Sequence, residues 1–292
     1  MLGLLTDINL DDLVTAFGWQ DSPASRGALR FVFRGAAQKF AAQMVDFDQR
    51  VYQSSLPEGA CQTLQSFVKD VTLFGGENIP ASGPVLFLSN HPGMTDTLCL
   101  FAALQRSDLK IIALRRPFLQ ALPYTSQYLI YLGDDPAERM GAVRKASAHL
   151  RSGGAVLTFP AGKIEPDPDI YEGALESLSH WLDSAGVFAR FAPETQIVPI
   201  LVRNVLWDRA VRHPLTRLKS DREARERLGA SFQLLMQIMF KANPVRVKVQ
   251  VARPIKLEEV GSTDLPAIHA VVLERMRTLV QNPPEGEGVS IL

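Results

Sequence analysis

Short apolar runs alternate with longer amphipathic stretches over most of this sequence. The runs at 85–89 and 156–159 are almost continuously apolar, which is typical of strands buried on both faces of a parallel sheet. The predicted strands are 71–74, 85–89, 109–114, 129–132, 156–159, 197–202 and 245–251. The predicted helices are 8–18, 24–53, 60–70, 95–104, 136–151, 218–241 and 265–279. Because strands alternate with helices, we expect an α/β fold, with a mixed sheet flanked by helices and further helices at the N-terminus.

The predicted helix 24–53 carries two stripes. Apolar residues recur every three or four positions, which marks one helix face. They are Leu29, Phe33, Ala36, Phe40, Met44, Phe47 and Val51. Arg26, Arg30 and Arg34 form a second stripe at four-residue spacing. Two interpretations stay open: the apolar face docks on the core and the arginines are solvated, or the helix lies on anionic lipid.

A break at 57–59 separates this helix from the α/β pattern, and the end of the chain is rich in proline and glycine. We therefore predict an N-terminal helical segment at 1–56, an α/β domain at 57–281 and a mobile tail at 282–292. The N-terminal segment is a candidate for contact with a membrane. The apolar stretch 84–104 is interrupted by polar and helix-breaking residues, so we expect no membrane-spanning helix. The first residues lack the basic and apolar regions of a secretory signal.

Composition narrows the class of partner. The 292 residues are 46% hydrophobic and 21% charged, which fits a folded domain with a large core. The 31 basic and 31 acidic residues balance, so no overall field attracts nucleic acid, and a charged partner needs a local patch. The two cysteines, Cys61 and Cys99, have no metal-binding spacing and fit a reducing compartment. We expect no bound metal, and we expect Asp167 and Asp169 to be solvated.

Candidate chemistry begins where the strand 85–89 gives way to a helix. The sequence there is Asn-His-Pro-Gly-Met-Thr-Asp, which places His91 and Asp96 about one helical turn apart. A histidine accepts a proton near neutral pH, and a carboxylate on its second nitrogen fixes its tautomer. Ligands of α/β sheets bind beyond the carboxyl ends of strands. The alternative is a capping histidine beside an unrelated aspartate, because this spacing also arises by chance.

A second candidate follows the strand 156–159, in the sequence Phe-Pro-Ala-Gly-Lys. Pro160 and Gly162 predict a tight turn that exposes backbone N–H groups, and such groups bind anions. Lys163 adds a positive charge. An ordinary turn would explain the same residues.

Taken in order, these motifs resemble a known family. An N-H-x4-D motif after an apolar strand, F-P-x-G at 159–162 and V-P-I at 198–200 resemble the glycerolipid (lysophospholipid) acyltransferases, whose best-known type is 1-acylglycerol-3-phosphate acyltransferase. The resemblance implies transfer of a fatty acyl group from a thioester donor, acyl-CoA or acyl carrier protein, to a hydroxyl of a lysolipid or glycerol-phosphate acceptor. It implies no cofactor. It also implies a bacterial, cytoplasmic protein bound peripherally to the inner face of the membrane.

The resemblance assigns roles to individual residues. His91 matches the catalytic base and Asp96 its partner, while Asn90 belongs to the same motif. Phe159, Pro160 and Gly162 match the phosphate-side loop of the family. V-P-I is linked to the acyl pocket or to its scaffold.

Two departures from the family pattern leave the acceptor open. The family reads F-P-E-G-T-R, whereas Ala161 and Ile164 stand where it has the glutamate and the arginine. Lys163 and Glu165 are candidates to replace them. The family also has a phosphate-binding arginine at a strand end that is missing here. The candidates to replace it are Arg115, Arg116 and Arg139. Other lysolipids, including amino-acid-headed ones, therefore stay open as acceptors.

Two other functions remain alternatives. The same His–Asp pair could activate water, which would make the protein a thioester or lipid hydrolase. A non-catalytic lipid-binding relative with this fold is the second alternative, suggested by Ala161 and the missing arginine.

Overall fold

The computed structural model of the chain describes residues 1–17, 23–220, 222–242, 244–261 and 264–292. Its strands are β1 (Asp70–Phe74), β2 (Val85–Ser89), β3 (Leu109–Leu114), β4 (Leu129–Leu132), β5 (Ala155–Thr158), β6 (Gln196–Arg203), β7 (Arg246–Val251) and β8 (Val289–Ser290). Its helices are α1 (Leu2–Phe17), α2 (Pro23–Gln53), α3 (Leu56–Leu64), α4 (Met94–Leu104), α5 (Pro117–Gln120), α6 (Pro136–Arg151), α7 (Ala174–Ser177), α8 (Ser184–Phe191), α9 (Asp208–Val211), α10 (Arg222–Phe240), α11 (Leu257–Val260) and α12 (Leu265–Gln281).

The strands form one mixed sheet in the order β4-β3-β5-β2-β6-β7-β1-β8. The first five strands of this order run parallel, β7 runs antiparallel to β6, and β1 lies parallel to β7. The expected α/β fold with a mixed sheet and N-terminal helices is confirmed. Because β2 lies between β5 and β6, the carboxyl ends of three parallel strands meet at one edge of the sheet.

Both faces of this sheet are covered, which explains the continuously apolar strand 85–89. Val85 and Phe87 join one core cluster, in which α2, α3 and α4 contribute side chains. Leu86 and Leu88 join a second cluster on the other face, with α6, α8 and α12. Alternate residues of a strand point to opposite faces, so a strand buried on both sides must be apolar at every position.

The apolar stripe of α2 packs inside the protein. Of its seven residues, six are buried and Phe33 is half-buried. Docking on the core is therefore the interpretation that the structure supports for this face. Arg30 is not a free solvated side chain, because its guanidinium forms ion pairs with the carboxylates of Asp7 and Asp11 on α1, at 2.7 and 2.6 Å. The side chain of Arg26 lies outside the described part of the chain.

The C-terminal segment 282–292 joins the sheet through the short strand β8, and its expected mobility stays a prediction. β8 pairs antiparallel with β1, and the Ile291 N–H donates to the Val71 carbonyl at 3.0 Å. Without this pairing β1 would be an edge strand with unpaired backbone groups. The division of the chain at residues 56 and 281 stays a prediction.

A buried carboxylate connects α2 to the α/β unit. Asp48 is fully buried and accepts hydrogen bonds from the N–H groups of Tyr124 and Thr125, at 3.1 and 2.7 Å. The Thr125 hydroxyl donates to the same carboxylate at 2.8 Å. Because a buried backbone donor needs a hydrogen-bond partner, these donors depend on Asp48.

Replacing Asp48 should destabilise the fold. We expect Asp48→Ala to lower the free energy of unfolding by about 2–4 kcal/mol, because buried N–H groups lose a charged acceptor. Urea denaturation measures this change. The control is Asp46→Ala on the same helix: Asp46 is 59% exposed and pairs with Arg50, and we expect a loss within about 0.5 kcal/mol. Equal losses in the two variants would contradict the anchoring role of Asp48.

Candidate active site

The carboxyl end of β2 leads directly into a turn and then into α4. Asp96 occupies the first turn of α4, and its carboxylate accepts the Gly93 N–H at 2.9 Å. This bond satisfies a backbone donor at the helix start and fixes the Asp96 side chain against the turn that carries His91. A side chain on Gly93 would approach Val205 and Leu206, so the turn is also closely packed.

His91 and Asp96 form a hydrogen-bonded pair. Nδ1 of His91 lies 2.8 Å from Oδ2 of Asp96, and the Asp96 side chain is fully buried while that of His91 is 27% exposed. The Thr97 hydroxyl donates to the other carboxylate oxygen at 3.0 Å. With Nδ1 as the donor to Asp96, Nε2 is left as the proton acceptor of the neutral ring. The expected base and orienting carboxylate are thus held together.

The surroundings of His91 favour its protonated form. Burial lowers the pKa of the imidazole, but the charge and hydrogen bond of Asp96 act in the opposite direction, as does the charge of Glu165. The net result is a pKa raised above the usual value near 6.5. A more basic His91 is a better proton acceptor.

The two sequence motifs meet at this point. The rings of Phe159 and His91 lie with their centroids 4.7 Å apart. Pro160 is buried, and the turn closes when the Gly162 N–H donates to the Phe159 carbonyl at 3.0 Å. Gly162 has φ +63°, a left-handed conformation that favours glycine. Lys163 follows on the exposed side of this turn.

Both oxygens of the Glu165 carboxylate are bonded within the protein, and the assignment of this residue to substrate binding stays a prediction. Its side chain is buried, and Oε2 accepts the His91 N–H at 3.2 Å. Oε1 accepts the indole N–H of Trp181 at 2.8 Å. The loop 163–169 turns this carboxylate inward, because the Glu165 N–H also donates to the His91 carbonyl at 2.9 Å.

The Asn90 side chain bonds to the backbone of β6, and its assignment to substrate binding stays a prediction. Its side-chain amide donates to the Val202 carbonyl and accepts the Val202 N–H, both at 2.8 Å, and the residue is buried. The side chain thereby continues the pairing of β2 with β6 one residue beyond Ser89. The V-P-I motif lies within β6, paired with β2, so it belongs to the scaffold of this edge.

Comparison with known proteins identifies the segment that contains these motifs. A family model described as Acyltransferase matches residues 70–203, from β1 to the end of β6. Residues 70–203 are an acyltransferase domain. The match covers slightly less than half of the chain, and it includes both His91 and the 159–162 turn. By this domain the protein is an acyltransferase enzyme.

Two further comparisons add little to this assignment. The chain is similar to the crystal structure of the 1-acyl-sn-glycerophosphate (LPA) acyltransferase PlsC from Thermotoga maritima, at 16% identity and a TM-score of 0.44. The alignment covers 94% of this chain and 97% of that one. A superposition this loose does not transfer residue roles. No curated protein sequence matches the chain.

The arginine candidates of the acyltransferase lie at the carboxyl ends of β3 and β4. Arg115 contacts Glu138 at 3.4 Å, and Arg139 Nε donates to the Gly133 carbonyl at 3.3 Å. Arg116 is exposed, and its charge acts on Asp12 of α1. These side chains share the sheet edge of His91, but in the described part of the chain no hydrogen bond or ion pair joins them to it. Their role in phosphate binding stays a prediction.

Sequence reasoning missed three residues that build the site. Asp167, expected to be solvated, is fully buried and accepts the N–H groups of residues 204, 205 and 206 at 2.9, 2.6 and 3.1 Å. Trp181 and Ser177 contact Glu165 from a segment more than ten residues away along the chain. No local pattern marks such contacts, because they depend on how distant loops meet.

Within the described ranges, no group of three or more His, Cys, Asp or Glu side chains could hold a metal ion. No helix of the described residues is both long enough and apolar enough to cross a membrane.

Replacing Asp96 should abolish most of the acyl transfer. We expect Asp96→Asn to lower kcat by about 10²–10⁴-fold with little change in KM, because an amide can donate to Nδ1 and so favour the wrong tautomer. Thiol release from an acyl thioester measures the rate, and thermal unfolding checks the fold. The control Thr97→Val removes only a hydroxyl from the far carboxylate oxygen and should stay within about fivefold of wild type. A fully active Asp96→Asn enzyme would contradict the assigned pair.

Proposed function

We propose that this acyltransferase transfers a fatty acyl group from an acyl thioester, acyl-CoA or acyl carrier protein, to the hydroxyl of a lysolipid or glycerol-phosphate acceptor. His91 is the general base and Asp96 its partner. The observation that carries the proposal is the 2.8 Å contact between Nδ1 of His91 and the buried Asp96 carboxylate, at a strand end inside the acyltransferase domain.

The proposed reaction is a direct transfer. Nε2 of His91 takes the proton of the acceptor hydroxyl as its oxygen attacks the thioester carbonyl. Asp96 stabilises the imidazolium that forms. The carbon–sulfur bond then breaks, and the leaving thiolate takes the proton from His91. No acyl-enzyme is needed, because the thioester is already activated. Backbone N–H groups in the first turn of α4, which lack intrahelical partners, are the candidate donors to the oxyanion.

The acceptor head group would meet the cationic side chains at this sheet edge. Lys163 is exposed in the turn beside His91, while Arg115 and Arg139 lie farther along the edge. Guanidinium and ammonium groups bind phosphate through charge-assisted hydrogen bonds. Ala161 and Ile164 replace the glutamate and arginine of the family pattern, so amino-acid-headed lysolipids belong in the acceptor panel.

A membrane-bound acceptor fits a peripheral enzyme. Phe31 is 83% exposed and Val32 68% exposed on α2, and Arg34 is exposed one turn away. Apolar side chains flanked by arginine are typical of helices that rest on anionic lipid. We propose that this face of α2, and not its buried stripe, contacts the membrane. That this membrane surface is the inner face of a bacterial membrane stays a prediction.

The proposed function predicts acceptor-dependent thiol release that requires His91. We expect His91→Ala to lower this release by about 10²–10⁴-fold, because the general base is lost. The assay uses acyl-CoA and acyl carrier protein donors, a panel of lysolipid and glycerol-phosphate acceptors, and a control without acceptor. His269→Ala, a histidine of α12, is the matched control and should keep full activity.

The other outcomes identify the alternatives. Release without an acceptor that depends on His91 would show a hydrolase. Liposome binding without release from any donor would favour a non-catalytic lipid-binding protein. Activity retained in His91→Ala would contradict the proposed base.

The membrane contact predicts a second result. We expect the variant Phe31→Ser with Arg34→Glu to bind anionic liposomes about tenfold more weakly, since it loses an apolar contact and reverses a charge. Cosedimentation with phosphatidylglycerol vesicles measures binding. Val289→Ser is the control, because Val289 is 66% exposed on β8 at the sheet edge. Unchanged sedimentation of the α2 variant would exclude this face as the lipid contact.

A further inference from the structure

Glu165 is a buried carboxylate that takes no proton in the proposed transfer. It lies in the loop after the 159–162 turn, and it exchanges two hydrogen bonds with His91. The His91 N–H donates to Oε2 at 3.2 Å, and the Glu165 N–H donates to the His91 carbonyl at 2.9 Å. The backbone of the proposed base is therefore held on both sides by one residue.

The groups around Glu165 are arranged for a negative charge. The Trp181 indole N–H donates to Oε1 at 2.8 Å. The Ser177 hydroxyl lies 3.2 Å from Oε1 and 2.8 Å from the Ala174 carbonyl, and its single proton serves one of the two. Burial raises the pKa of Glu165 above its usual value, and the donors from Trp181, His91 and Ser177 offset only part of that rise. Hydrogen bonds donated to a carboxylate favour its ionised form.

A carboxylate in this position also acts on the imidazole through space. The charged groups that act on His91 in the described part of the chain are Asp96, from α4, and Glu165, from the loop after β5. Asp96 contacts Nδ1, whereas Glu165 contacts the backbone of the same residue. The two carboxylates thus approach the base from different elements.

We propose that Glu165 is a positioning residue for acyl transfer, which fixes the backbone of His91 and stabilises the imidazolium that forms when the acceptor proton is taken. This role rests on the proposed function, because it takes His91 as the base. It assigns to Glu165 a contact with the base and none with the substrate.

The test compares two glutamates with different surroundings. Glu165→Gln keeps the size of the side chain and removes its charge. The control is Glu176→Gln, which makes the same change at an exposed position of α7, next to Ser177 in the chain. The imidazole of His91 is titrated by NMR in both variants and in wild type, and its signal among the five histidines is assigned with His91→Ala. The kcat and KM for thioester and acceptor are measured across pH.

Removing a negative charge destabilises the imidazolium, so the pKa of His91 should fall in Glu165→Gln and stay constant in Glu176→Gln. The acid limb of kcat/KM, which requires neutral His91, should move to lower pH with it. We expect kcat to fall about 10–100-fold, with KM within about twofold. An unchanged His91 pKa together with a kcat within about twofold of wild type would overturn the proposal.

A second variant tests the proposal if Glu165→Gln fails to fold. Trp181→Phe keeps the Glu165 charge and its bond to His91 but removes one donor, so we expect kcat to fall about three- to tenfold at constant KM. An unchanged kcat in a folded Trp181→Phe enzyme would overturn the proposal in that case. The NMR titration needs no activity. A change in His91 pKa combined with full activity of His91→Ala would therefore reject the proposed function and leave the contact itself intact.

Discussion

Burial of β2 between β5 and β6 is the constraint on which the site depends. A strand with parallel neighbours on both sides and helices over both faces has no freedom to shift its register, because a shift of one residue would exchange its two faces. The residues that follow β2 are consequently fixed in space. Asn90 strengthens this by pairing with Val202 as if the strand continued. The backbone that leads into His91 is therefore held in place by the sheet.

Buried carboxylates then shape the loops above this edge. Asp96, Glu165 and Asp167 are each removed from water, which costs free energy unless backbone or side-chain donors compensate. Each one has such donors. Asp96 accepts the Gly93 N–H, Glu165 accepts the His91 N–H, and Asp167 accepts three consecutive backbone N–H groups after β6. Loops that are bound in this way hold a catalytic geometry more firmly than loops bound by surface contacts.

Helix α2 combines a buried face with an exposed one. The buried stripe of α2 and the Asp48 carboxylate join this helix to the α/β unit. The opposite face of α2 leaves Phe31 and Val32 exposed. A helix docked through one face can carry apolar side chains on another face without loss of fold, and this makes a surface contact compatible with a well-packed domain.

The sequence by itself determined the elements and the central pair. Strands 85–89, 109–114 and 129–132 and helix 136–151 appear with the predicted bounds. The signals are local in each case: apolar runs mark the strands, while a proline and a pair of glycines bound the helix. His91 and Asp96 are close along the chain, so a strand–turn–helix pattern was enough to bring them together. Only the tertiary structure decided that Glu165 and Asn90 turn inward, that Asp167 is buried, and that the chain end pairs with β1. Those contacts join residues far apart in sequence, and their geometry depends on how whole elements pack, which no local pattern of residues encodes.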